Sequence, residues 1–99
     1  MKYTQLPAAY KYDTIAEAIY ARELEYFHYD FDRRNFEYLL GVSTDAAYRA
    51  NLQDRLASTL VQMGNVESIY NALLAQIDDQ EMYAAAVARC TAKREATAP

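Results

Sequence analysis

The sequence predicts an all-α fold: a long antiparallel helical hairpin over about 14–40 and 44–77, then a shorter helix over about 79–94, assembling as a helical bundle. Three observations predict it. Only two glycines and two prolines occur in 99 residues, too few for a many-turned β fold, which needs a turn signal about every 8–12 positions. Residues Leu52, Leu56, Thr59, Met63, Val66, Tyr70, Leu73 and Ile77 recur at spacings of 4-3-4-3-4-3-4, a heptad seam. Before them, no glycine or proline interrupts an apolar-periodic run until Gly41.

The chain reads as one domain, residues 1–99. Residues 1–12 read as an extended arm, because Leu6-Pro7 disfavours helix just before it. Tyr3, Tyr10 and Tyr12 could anchor that arm. The first helix is expected near Thr14, where Thr14-Ile-Ala-Glu17 fits a capping box: the hydroxyl accepts from one orphan amide, and the carboxylate from another. Its apolar stripe runs Ile15/Ala16, Ile19/Tyr20, Leu24, Phe27, Phe31 and Tyr38/Leu39, and Gly41 sits where a C′ residue belongs. Ser43, Thr44 and Asp45 offer caps for the second helix. The short gap forces an antiparallel hairpin.

Gly64-Asn65 could end one helix and begin another. The apolar phase crosses Gly64 without slipping, however, so the seam predicts one continuous helix, at a cost of ~1 kcal/mol for the glycine. Asp78 is a candidate cap for the last helix, with Glu81 three residues on and Ile77 and Met82 in the two staple positions. Residues 95–99 read as a frayed tail.

Several function classes are disfavoured. Net charge is −4, and it is spread evenly: residues 1–42 carry 5 basic and 7 acidic groups, and residues 43–99 carry the same. No basic stripe marks a nucleic-acid footprint. No apolar run suits a signal peptide or a membrane span. A single cysteine, Cys90, cannot form an internal disulfide and suits a reducing compartment. The expectation is a soluble cytoplasmic protein with neither nucleic acid nor membrane as partner.

Chemistry concentrates in one stretch, ELEYFHYDFDRR, which holds the only histidine. Glu25, His28 and Asp32 fall at i, i+3 and i+7, on one side of a helix. Glu-x-x-His is the spacing that lets a carboxylate and an imidazole reach one metal in ferritin-like sites. One such motif is half a site, so a dimer would have to complete it, with Glu17 as a further ligand and iron, manganese or zinc as the metal. The competing reading is a solvated face of local ion pairs, Asp30 with Arg33 and Arg34 and Arg33 with Glu37, each stabilising by about 0.2–0.5 kcal/mol. The second reading is favoured. Cys90 has no histidine nearby in sequence, and no serine lies in a G-x-S-x-G context. No catalytic residue is expected, and no cofactor unless the half-site is completed.

A hairpin buries only the strip between its helices. Tyr26 and Tyr29 lie away from the stripe of Tyr20, Leu24, Phe27 and Phe31, and Leu60, Ile69 and Leu74 lie beside the seam. Such a surplus predicts self-association, a dimer first, with two hairpins forming a four-helix bundle. Ten tyrosines suit an interface, since each buries a ring while keeping its hydroxyl near water. A protein partner reached through the N-terminal arm is a further possibility. The residues expected to carry association and packing are Tyr20, Leu24, Phe27 and Phe31 with Leu52, Leu56, Met63, Val66, Tyr70, Leu73 and Ile77.

The segments IYARELEYFHYDFDRRNFEYLL and YRANLQDRLASTLVQMGNVESIYNALLAQI, with AVARCTAKREA after them, resemble small helical proteins encoded by tailed phages of marine cyanobacteria and related environmental sequences. That resemblance implies a phage accessory or structural protein without enzymatic activity, working in the host cytoplasm. The sequence as a whole therefore predicts a non-enzymatic, oligomeric helical protein that acts through packing surfaces.

Overall fold

The computed structural model describes residues 8–98. Among the described residues there are three α-helices, α1 (Ala8–Val42), α2 (Ala46–Leu74) and α3 (Gln80–Thr97), and no strand. The all-α class is as the sequence predicts: α1 and α2 pack extensively, and α3 lies against α1. The chain divides into two compact units, one of residues 22–70 and one of residues up to 21 together with 71 onward.

The unit of residues 22–70 is an α1–α2 hairpin. On α2, Leu52, Thr59, Met63 and Val66 are buried, while Leu56 and Tyr70 are half-buried. The 4-3 spacing thus produces the packed side of the helix. Thr59 is accommodated there because its hydroxyl donates to the Arg55 carbonyl one turn back, at 2.9 Å. Helix α2 runs through Gly64 without a break, as the unslipped phase predicts.

The hairpin turn is built differently from the sequence expectation. Gly41 lies inside α1, and none of the described glycines has a positive φ. The helix ends instead with the Ser43 amide donating to the Leu39 carbonyl at 2.9 Å. The Arg49 guanidinium reaches back from α2, donating to the Leu40 carbonyl and, at 3.0 Å, to that of Ser43. A cation on the last carbonyls satisfies groups that a left-handed glycine would otherwise have served. Of the three candidate caps, Asp45 caps α2: its carboxylate accepts from the Tyr48 amide at 2.8 Å.

In the other unit α1 begins at Ala8, six residues before the expected start. Residues 8–12 are therefore helical rather than an extended arm, and Thr14 lies within the helix rather than at its cap. Pro7 restricts the residue before it, whereas the alanines and long side chains that follow propagate helix readily. The expected roles of Tyr3 and Tyr10 lie outside the described residues and side chains. Tyr12 does anchor, but from within the helix: it is buried, and its hydroxyl donates to the Asp78 carboxylate.

Tyr12, Ile15, Ala16 and Ile19 form the buried side of α1 here, at 3-1-3 spacing, and Ala86 and Cys90 form that of α3. Leu73, Ile77, Met82 and Tyr83 are half-buried. Asp79, not Asp78, caps α3, its carboxylate accepting from the Met82 amide at 3.0 Å. Asp78 is taken by Tyr12. Residues 95–97 continue α3 rather than fraying, and the Thr97 hydroxyl bonds back to the Lys93 carbonyl at 3.1 Å.

Candidate association surface

Within residues 22–42, α1 has two sides. Tyr29, Arg33, Phe36 and Leu40 are half-buried and share one side at 4-3-4 spacing. Leu24, Phe27, Phe31, Tyr38 and Val42 are 44%, 67%, 66%, 67% and 58% exposed. At 100° per residue these five fall in one row about 180° round the helix from the half-buried side, and the row is roughly 27 Å long. Leu24, Phe27 and Phe31 were expected to pack inside the hairpin, with Tyr29 in the surplus. The structure places them the other way round. Both rows have helical periodicity, and Arg33 hides the inner one because a guanidinium breaks its apolar reading.

Arg33 occupies that inner row at little electrostatic cost. It donates to Asp30 at 2.7 Å and to Glu37 at 2.9 Å, and Arg34 adds a second contact to Asp30 at 2.6 Å. The hydrogen bonds from Arg33 are the main reason that the Asp30 carboxyl is held below its ordinary range, with Arg34 adding to the effect. Asp30, through the same hydrogen bonds, raises the Arg33 guanidinium, and Glu37 reinforces it. The pairing is what the sequence predicts, but the face is not the solvated one expected: Asp30 and Arg33 are half-buried, while Arg34 and Glu37 are exposed.

The metal half-site residues do not converge within the chain. His28 and Asp32 are exposed, and Glu25 lies 3.3 Å from the Arg22 guanidinium. Glu17, in the other unit, pairs with Arg94 at 3.3 Å. Among the described residues, no group of three or more His, Cys, Asp or Glu side chains is placed to hold a metal ion.

Around residues 12–20, α3 runs alongside α1 in the same direction. Arg89 pairs with Asp13 and Arg94 with Glu17, and the Arg94 guanidinium lies 3.6 Å from the centre of the Tyr20 ring. Tyr20, expected in the association stripe, is thus half-buried beneath a cation. The Cys90 thiol, 5% exposed, points to the Asp13 carbonyl at 3.7 Å. Burial pushes it up from the ordinary thiol range, and Glu17 pushes it further, which keeps it protonated and unreactive near neutral pH. An open groove of about 330 Å³ runs beside it, lined by Asp13, Thr14, Glu17, Arg89, Cys90 and Lys93. Its acids face its bases.

On α2, Leu60, Ile69 and Leu74, expected as surplus, are 50%, 46% and 39% exposed, Val61 is 61% exposed, and Tyr26 on α1 is 40% exposed. Among the described residues, no helix is long and apolar enough to cross a membrane. Compared with protein-family models, curated proteins and solved structures, the chain matches none. What it can do must be read from this surface.

Proposed function

We propose that this chain is a non-enzymatic helical protein that acts by association, as a structural or adaptor component working as a homo-oligomer built on a dimer. The observation that carries the reading is the exposed row of Leu24, Phe27, Phe31, Tyr38 and Val42 on α1. Two phenylalanines in the middle of one row, each two-thirds exposed, leave much apolar surface in water. Each large side chain moved out of water is worth about 1.5–3 kcal/mol, and rows of this length on soluble proteins mark interaction surfaces.

The 3-4-7-4 spacing of the row averages about 3.6 residues per turn and so keeps it on one side of a straight helix. An accessory or structural role in a host cytoplasm, which the sequence's resemblance to phage-encoded proteins implies, is part of the same proposal. The test is the double variant Phe27→Ser, Phe31→Ser. It should keep wild-type helix content by circular dichroism and elute later than wild type on size exclusion. A variant that elutes with wild type would remove the row from the interface.

A further inference from the structure

We infer that a second copy of this chain docks antiparallel along the apolar row of α1, in the register that sets Phe27 against the other copy's Phe31 and Glu23 against the other copy's Arg34. This rests on the oligomer reading above and supplies its geometry.

Charge decides the direction. Glu23 and Arg34 border the row on the same flank, about 75° and 55° from its centre at 100° per residue, and lie eleven positions apart. Among the described residues nothing pairs with Glu23, so its carboxylate is available to a partner. Arg34 has a 73% exposed side chain, and the Asp30 carboxylate it touches is shared with Arg33. A parallel pair would set Arg34 against Arg34 within the seam and leave both Glu23 groups unmatched. An antiparallel pair about a two-fold axis at the level of Tyr29 sets opposite charges together twice.

The same register suits the apolar groups. Phe27 and Phe31 are four positions apart, so the axis brings each onto the other twice, giving two aromatic contacts. Leu24 comes level with Arg34, whose aliphatic stem can cover it while the guanidinium turns out to Glu23. The contact is isologous and closes on itself, so it yields a dimer rather than a filament.

Cysteine cross-linking reads the direction. In a Cys90→Ala background, Leu24→Cys and Arg34→Cys are oxidised separately and as a mixture, and the solution mass is measured on the reduced proteins. In the inferred register, two copies of residue 24 stand about 15 Å apart along the axis, beyond the ~7 Å Cα separation a disulfide spans. Residues 24 and 34 come level. The expected result is a covalent dimer in the mixture and none in either variant alone.

Cross-linking of each variant alone would show a parallel pair and overturn the inference, as would a dimeric mass with no cross-link in any arm. A monomeric mass would instead remove the oligomer reading on which it rests. Charge exchange gives an independent check. Glu23→Arg and Arg34→Glu should each weaken dimerisation about tenfold, since each acts at two symmetry-related pairs. The double variant should recover most of that loss. Double-variant affinity no better than that of the singles would overturn the pairing.

Discussion

Arg49 shows how much one side chain can settle. It closes the hairpin by donating to the Leu40 and Ser43 carbonyls, the work that the sequence assigned to Gly41. Arg49→Ala should lower stability by about 1–2 kcal/mol in urea unfolding, the scale of lost hydrogen bonds to a charged group. A midpoint equal to wild type would mean that water replaces the guanidinium without loss. Asp30 makes a second prediction, in pH. Its carboxyl is held below the ordinary value, first by Arg33, so its contribution is fully present above the unfolded value near 3.8 and is lost as pH falls through the folded one. Asp30→Asn should therefore melt below wild type at pH 7, and the gap should close as pH falls below 3.8 through the lowered folded value. A gap that stays constant with pH would assign the effect to packing instead of charge.

Among the elements, α2 was the most legible from sequence, because a heptad seam constrains register at every turn. Its glycine now yields a prediction. Gly64 lies mid-helix, and an added Cβ would meet nothing within 4 Å. Gly64→Ala should then stabilise by about 0.5–1 kcal/mol, read as a raised melting temperature; destabilisation would mean that another chain approaches the backbone there. Helix α1 was less legible, for two physical reasons. Its two rows are both periodic, and Arg33 sits within the half-buried one, so hydrophobicity alone favours the row of Phe27 and Phe31. Its start was placed at Thr14 on a capping signature, whereas helix propagates through residues 8–13 without one. Of the core on α1, Ile15, Ala16 and Ile19 were visible as a stripe and Tyr12 was read as part of an arm; its partners Ala86 and Cys90 are small, and an alanine-rich helix advertises no packing side. Caps formed by adjacent aspartates, Asp78 and Asp79, differ by one residue. Only the tertiary bond from Tyr12 to Asp78 decides between them.

At the scale of the whole molecule, contact surfaces outweigh chemical groups. Glu25 and His28 opened as a possible half-site, yet Glu25 is next to Arg22 and His28 shares its helix with a row of exposed aromatics. Near α3, Arg89 pairs with Asp13 and Arg94 with Glu17. Among the described residues, the largest apolar groups left exposed are one row on α1, with Leu60, Val61 and Ile69 on α2. Association is the function we propose for such a surface. The most direct measurement is the solution mass by light scattering over a range of concentrations. The proposal requires twice the chain mass of 11.3 kDa, or a multiple of it, for the wild type, and the single-chain mass for Phe27→Ser, Phe31→Ser. A wild-type mass of one chain at every concentration would contradict it.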